Sequence, residues 1–218
     1  MTLKQFALIA HSYSALSLIV LVTSLLYFNK RPTETKIIAL LFLFSCLPYA
    51  AIFGFGLKGM SVNLPQNIYL LGQMLALSLL FSVALEKKHR RLLLVVGLIF
   101  TVFWFVNILF FQKEYLNTYT KAVGSIIIIF YCLLYYHRLL TDLPVQDLHR
   151  VPMFWYVTSH LIFCSATLFL FLFMSYLTKV LHDDLLIYWS FHNILNIILN
   201  LMVLVGLWLD LRNIRLRS

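Results

Sequence analysis

The sequence predicts an all-α integral membrane protein, folded as a single bundle of seven transmembrane helices. Of its 218 residues, 62% are hydrophobic and 11% are charged, and the mean hydropathy is +0.90. Soluble domains carry about a quarter charged residues, and a chain this short cannot bury so much apolar surface in one water-soluble core. At about 20 residues per span plus short connections, the length accommodates about seven spans.

Each span is an apolar stretch that ends at polar or helix-breaking residues. Pro65 and Pro152 fall at span starts, where the missing N–H of proline costs little. Pro48 lies inside the second span and is followed by Gly54 and Gly56, which predicts a kink or local unwinding there. The predicted spans cover residues 6–28, 37–57, 66–85, 92–111, 119–138, 152–177 and 185–209.

The distribution of basic residues predicts the orientation. Twelve of the 17 Lys and Arg residues, including all eight arginines, fall on one side of the seven spans, and five fall on the other. Lys30 and Arg31 count on the first side and Lys121 on the second. By the positive-inside rule the N-terminus is outside and the C-terminus inside. The net charge of +9 is therefore interpreted as topological, and nucleic acid is not an expected partner.

Neutral polar residues within the spans are the candidate ligand-binding residues. No Asp, Glu, Lys or Arg lies near the middle of a span, which disfavours proton pumps and retinal proteins. In the seventh span, steps of three and four residues place Asn193, Asn196 and Asn200 on one stripe, with His192 at its edge. This stripe either hydrogen-bonds neighbouring helices or lines a cavity for a ligand or water. The full candidate set is His11, Asn107, His160, His192, Asn193, Asn196 and Asn200.

Histidines allow a haem or metal site as an alternative. His11 and His192 lie at similar depth from the outer ends of their spans, so they are expected to be able to meet, whereas His160 lies nearer the inner side. His182, Asp183 and Asp184 precede the seventh span as weak metal candidates, although this cluster is more typical of a solvated helix cap, because a metal site would need further ligands. No haem- or metal-binding motif accompanies either set, and no cofactor is favoured.

The inner side offers candidate partner surfaces. The loop between Arg138 and Val151 is either a simple connector or, together with the basic C-terminal tail, a docking surface for a cytoplasmic signalling protein. The basic cluster over residues 86–91 is interpreted as topological and lipid-facing, with a contact to anionic headgroups. No motif of a hydrolase or of a phosphate-binding loop is present, and the sequence does not decide the oligomeric state.

The last third of the chain resembles a family of uncharacterised bacterial membrane proteins. The resemblance covers about residues 150–210 and rests on Phe154 and Trp155, the aromatic run over residues 168–173 with Tyr176, Trp189, the pair His192 and Asn193, and Asn196 and Asn200. Members of that family have seven spans and are often encoded beside, or fused to, sensor histidine kinases. The resemblance implies a sensory module of the bacterial cytoplasmic membrane and assigns no catalytic residue.

The leading functional hypothesis is a signalling module that binds a small or lipidic ligand within the bundle and acts on a cytoplasmic partner. A transporter or channel for small solutes is the first alternative, with Pro48 and the Asn stripe along its path. A haem- or metal-binding membrane enzyme is the second.

Overall fold

The computed structural model describes residues 2–56, 63–85, 87–111, 118–142, 147–179 and 185–217, which fold into seven α-helices. Two short 3-10 turns, Phe28–Lys30 and Leu148–Arg150, lie between helices, and a π-helical turn, Asn107–Phe111, extends the fourth helix. The α-helices are α1 Leu3–Leu25, α2 Thr33–Gly56, α3 Asn63–Ala84, α4 Lys87–Val106, α5 Thr118–Asp142, α6 Pro152–Lys179 and α7 Leu185–Arg217.

Six of the helices form a closed ring, and the seventh packs on its outside. Going around the ring, α1 packs against α2, α2 against α3, α3 against α5, α5 against α6, α6 against α7, and α7 against α1. The remaining helix, α4, lies against α3 and makes fewer contacts with α5. The ring therefore encloses an interior to which α4 contributes from the periphery.

Length and surface character indicate a helical integral membrane protein. Among the described residues, α1 and α3 through α7 are long and apolar enough to cross a membrane. Their outer faces leave large apolar side chains exposed, including Leu98 at 67% and Phe169 at 64%. Lipid solvates such side chains without cost, and only the backbone groups need internal hydrogen bonds, which the helices supply.

Buried aromatic residues with hydrogen-bonded hydroxyl groups connect the helices inside. Tyr131 of α5 packs against Phe81 of α3, with ring centroids 5.5 Å apart, and its hydroxyl donates to the carbonyl of Leu93 in α4 at 3.0 Å. A buried hydroxyl without such a partner would destabilise the fold. These contacts hold α4 against the ring even though most of its surface faces outward.

The first helix ends earlier than predicted, and an arginine accounts for its ending. The predicted span reaches residue 28, but α1 stops at Leu25, Tyr27 adopts a left-handed backbone conformation with φ 55°, and a 3-10 turn follows. Arg31 donates from Nε to the carbonyl of Leu26 at 3.0 Å and from Nη2 to that of Thr23 at 2.9 Å. These are carbonyls that the end of a helix leaves without partners, so Arg31 acts as a side-chain cap.

Two helices, α5 and α7, continue beyond their predicted ends. α5 continues to Asp142, so the predicted loop starting at Arg138 is wrong over its first five residues, and Arg138 Nη1 instead donates to the carbonyl of Ala84 at 2.6 Å. α7 continues to Arg217 rather than ending at 209, which makes the predicted basic tail helical. In α2 the chain stays helical through Pro48, so of the two effects expected there, a kink or local unwinding, unwinding does not occur at that residue.

Gly206 marks the closest approach of α7 to α6 and gives a first prediction. A Cβ atom at this position would lie 2.5 Å from Cε1 of Tyr156 and 3.1 Å from the backbone oxygen of Pro152. Because Pro152 O belongs to the backbone, Gly206→Ala must push the helices apart, and overpacking of this kind costs about 1–3 kcal/mol. We expect a lower melting temperature in detergent. Gly124→Ala is the control, since its Cβ would meet Phe100 at an ordinary 3.4 Å; equal melting of both variants would contradict the prediction.

Candidate functional site

The candidate site is a cavity of about 60 Å³ inside the ring, where α1, α3, α5, α6 and α7 come together and Phe100 of α4 reaches in. A volume of this size holds a few water molecules or one small polar group. Its lining mixes aromatic and aliphatic side chains with polar ones. The polar lining residues are Tyr13, Tyr69, Gln73, Lys121, Ser125, Cys164, His192 and Asn196.

Lys121 brings a positive charge to this cavity from the first turn of α5. Its ammonium lies 4.9 Å from the ring centroid of Phe171 in α6 and 5.1 Å from that of Trp189 in α7. Both distances are within the range of cation–π attraction. The aromatic rings therefore compensate part of the hydration that Lys121 loses, and they hold its ammonium where three helices meet.

His192 of α7 occupies the centre of an aromatic cluster next to Lys121. Its ring centroid lies 5.5 Å from that of Phe163, 5.3 Å from that of Phe171 and 5.6 Å from that of Trp189. The imidazole Nδ1 is buried and has no hydrogen-bond partner among the described residues. A buried polar atom of this kind costs free energy unless something bonds to it, so the imidazole is a candidate contact for a ligand.

The charge of the lining defines what the cavity accepts. Among the described residues that line it, Lys121 is the one charged side chain, and no carboxylate is present. Gln73, Ser125, His192 and Asn196 supply amide, hydroxyl and imidazole groups. A small acidic group, such as a carboxylate or phosphate, matches this combination of one cation and several hydrogen-bonding groups.

The three asparagines of the predicted stripe are all buried but differ in role. Asn196 lines the cavity, and its Nδ2 donates to the carbonyl of His192 in the same helix at 2.9 Å. Asn200, one turn further in, donates from Nδ2 to Ser17 Oγ of α1 at 3.0 Å. Asn193 is 8% exposed and is not among the lining residues. The stripe therefore divides into a cavity residue and a helix-joining residue.

The remaining predicted residues lie elsewhere. Asn107 donates from Nδ2 to Thr120 Oγ1 at 3.0 Å and so ties the π-helical turn to the start of α5. His160 is buried within α6, with Nδ1 2.8 Å from the carbonyl of Tyr156. His11 is exposed on α1 and does not line the cavity with His192, so the two histidines are not brought together there.

No metal centre is found in the part of the chain that the structure describes. It contains no group of three or more His, Cys, Asp or Glu side chains arranged to hold a metal ion. The weak metal candidates His182, Asp183 and Asp184 lie outside the described residues.

A buried ion pair between the α1–α2 connection and α7 is a feature that the sequence does not reveal. Arg31 and Asp210 are 3% and 5% exposed, and Nη1 of the arginine lies 2.6 Å from Oδ2 of the aspartate. The same Oδ2 accepts from Thr35 Oγ1 at 3.0 Å, and the Thr35 hydroxyl lies 3.3 Å from that of Tyr156. A second cavity, of about 390 Å³, opens beside this cluster. The cluster joins the α1–α2 connection to α2, α6 and α7.

The different positions of Asn196 and Asn200 lead to a second prediction. Asn200→Leu removes the hydrogen bond to Ser17 and should lower stability by about 0.6 kcal/mol, the average for such bonds within membranes. Asn196→Leu removes only a bond within α7 and should cost less. Thermal melting of both variants, of Ser17→Ala and of the Ser17→Ala/Asn200→Leu double variant measures the coupling. If the stability lost in the double variant equals the sum of the losses in Ser17→Ala and Asn200→Leu, the hydrogen bond contributes nothing.

No protein-family model, curated protein or solved structure matches this chain.

Proposed function

We propose that the chain is a sensory module that binds a small acidic ligand, or the acidic head of a lipidic one, in the cavity formed by Lys121, His192 and Asn196. The observation that carries the proposal is the pairing of a lone cation with a buried, unpartnered imidazole Nδ1 among the described residues of that cavity. One ionised oxygen of the acidic group accepts from Lys121, and a second oxygen accepts from Nδ1–H of His192 or, where that oxygen carries a proton, donates to Nδ1. One functional group thus supplies what both side chains lack.

The size of the cavity connects binding to movement. At about 60 Å³ it accommodates the acidic group but little of the molecule attached to it. A larger ligand enters only if α5, α6 and α7 separate near Phe171 and Trp189, whose rings close over Lys121. The ligand therefore favours an arrangement with those helices further apart, and this differential affinity is what a signalling equilibrium requires.

Helix α7 provides the route from the cavity to the inner side. It contributes His192 and Asn196 to the cavity and Asp210 to the buried ion pair. At 1.5 Å per residue, His192 and Asp210 are about 27 Å apart along the helix. Displacement of α7 at the cavity thus changes the packing around Arg31 and the position of the exposed Arg212 beyond it.

The proposal includes the finer topology: seven spans, an outside N-terminus and an inside C-terminus in the bacterial cytoplasmic membrane. The cytoplasmic partner would dock on the inner loop ahead of Val151 and on the C-terminal end of α7. Kinship with the seven-span proteins associated with histidine kinases belongs to the same proposal.

A reporter that fluoresces only in the cytoplasm tests the orientation. Fused after Ser218, it should be fluorescent; a fusion that inserts into the membrane but stays dark would contradict an inside C-terminus.

The direct test of the ligand is mass spectrometry of molecules that co-purify with the full chain in mild detergent. We expect an acidic compound in stoichiometric amount, which dissociates when the protein is denatured. An absorption spectrum and elemental analysis of the same sample address the haem and metal alternatives. If the protein carries no acidic compound and binds none from a panel of small carboxylates and phosphates, the proposal fails.

A further inference from the structure

The outward face of α4 carries a groove that the proposed ligand cavity does not use. Arg90 and Arg91, in the first turns of the helix, form one end of it, and Leu94, Val95 and Leu98 form its apolar floor. The groove is shallow and largely open, with about 510 Å³ of space against it, and all five of its lining residues belong to α4. All five residues are exposed. Because α4 lies outside the ring of helices, this face is available to the surrounding lipid.

Helical spacing combines the arginines and the apolar residues into one surface. Arg90, Leu94 and Leu98 follow one another at intervals of four residues, and Arg91 and Val95 form the neighbouring row. From Arg90 to Leu98 the helix rises about 12 Å, which is close to the hydrocarbon thickness of one leaflet, about 15 Å. The surface is thus cationic at the membrane boundary and apolar over the depth of a leaflet.

The charge around this surface is strongly positive. Residues 86–91 contain four Lys or Arg residues and one Glu. The ion pairs of Arg31 with Asp210 and of Arg150 with Asp147, both between described residues, involve neither Arg90 nor Arg91. The two adjacent guanidinium groups present planar sets of donors, which suit the oxygens of a phosphate.

We propose that this groove is a binding site for an anionic phospholipid of the bilayer. The phosphodiester lies against Arg90 and Arg91, and one acyl chain runs along Leu94, Val95 and Leu98. Polybasic segments at the cytoplasmic surface attract anionic headgroups. The apolar floor adds contact with an acyl chain, which a phospholipid has and free phosphate does not. This proposal stands independently of the ligand cavity, which lies on the other side of α4.

The test uses the full chain reconstituted in vesicles containing equal amounts of phosphatidylglycerol and phosphatidylcholine, followed by native mass spectrometry of retained lipids. We expect phosphatidylglycerol to be retained about tenfold or more over phosphatidylcholine. The variant Arg90→Gln/Arg91→Gln should lose most of this preference. The control Arg212→Gln/Arg215→Gln removes the same charge at the same end of the bundle and should keep it.

Three outcomes would overturn the proposal. If wild-type protein retains both lipids equally, there is no anionic lipid site, and this comparison needs no variant to fold. If both double variants lose the preference equally, the attraction comes from the overall charge of the inner side. Competition by free inorganic phosphate tests whether the acyl chain contributes to binding. If phosphate alone displaces phosphatidylglycerol, the apolar floor contributes nothing.

Discussion

Asp210→Ala is expected to lower the free energy of unfolding by about 3–5 kcal/mol and to reduce sharply the yield of folded protein. Removal of one partner from a buried ion pair leaves the other charge without compensation, and losses of this size are typical. Here the orphaned group would be Arg31, whose side chain is 0% exposed. Thr35 would lose the acceptor of its hydroxyl at the same time. Thermal melting in detergent and the monodisperse fraction after purification measure the effect.

A surface ion pair in the same chain provides the matched control. Arg150 and Asp147 lie 3.1 Å apart with side chains 72% and 46% exposed, and such pairs contribute at most about 1 kcal/mol. Asp147→Ala should therefore melt close to wild type. The double variant Arg31→Met/Asp210→Leu should regain much of the stability lost by Asp210→Ala, because an apolar pair of similar size needs no charge compensation. If Asp210→Ala has the same melting temperature as Asp147→Ala, the buried pair does not stabilise the fold.

The helices were largely predictable from the sequence, whereas their ends were not. The structure has an α-helix at each of the seven predicted positions, and among the described residues six of these helices are long and apolar enough to cross a membrane. The end of α1 depends on the carbonyls that Arg31 satisfies, and α7 continues past its apolar stretch to Arg217. Hydropathy measures transfer into lipid, so it does not register a cap or a helix that projects into water.

The sequence does not reveal the buried ion pair, because the adjacent cations Lys30 and Arg31 have similar hydropathy. Lys30 and Arg31 were both counted as topological charges at the inner surface, but Lys30 is exposed and Arg31 is 3% exposed. What separates them is Asp210, 179 positions away in the sequence. A charge count by side cannot detect a contact made between helices that are distant along the chain.

The candidate cavity was found in part. His192 and Asn196 were identified from the period of α7, but Lys121 was assigned to the outer surface because it stands near the end of a span. The spacing along α5 does indicate the face that Lys121 shares: Gly124, Ser125 and Ile128 follow it at steps of three, four and seven residues, and all of them line the cavity. The expectation that His11 and His192 meet rests only on their similar depth in the membrane. Depth does not determine the direction in which a side chain points around its helix.

Lys121→Gln should reduce retention of the acidic ligand by about tenfold to a hundredfold. The substitution keeps a hydrogen-bonding side chain of similar length but removes the charge, and a hydrogen bond to a charged group contributes about 1.5–3 kcal/mol. His192→Phe should also weaken retention, because the ring still packs against Phe171 and Trp189 while Nδ1 is gone. Quantitative mass spectrometry of the co-purifying compound, normalised to protein, measures both effects.

Lys36→Gln distinguishes a role in binding from a general effect of losing a lysine that packs on an aromatic ring. The Lys36 ammonium lies 5.6 Å from the ring centroid of Phe28, so it resembles Lys121 in its local contact. It does not line the cavity, because α2 carries it at the opposite end of the bundle. Retention should therefore stay at the wild-type level in this variant. If Lys36→Gln and Lys121→Gln release the compound equally, or neither does, the ligand is bound elsewhere, and the aromatic rings around Lys121 serve only to hold α5, α6 and α7 together.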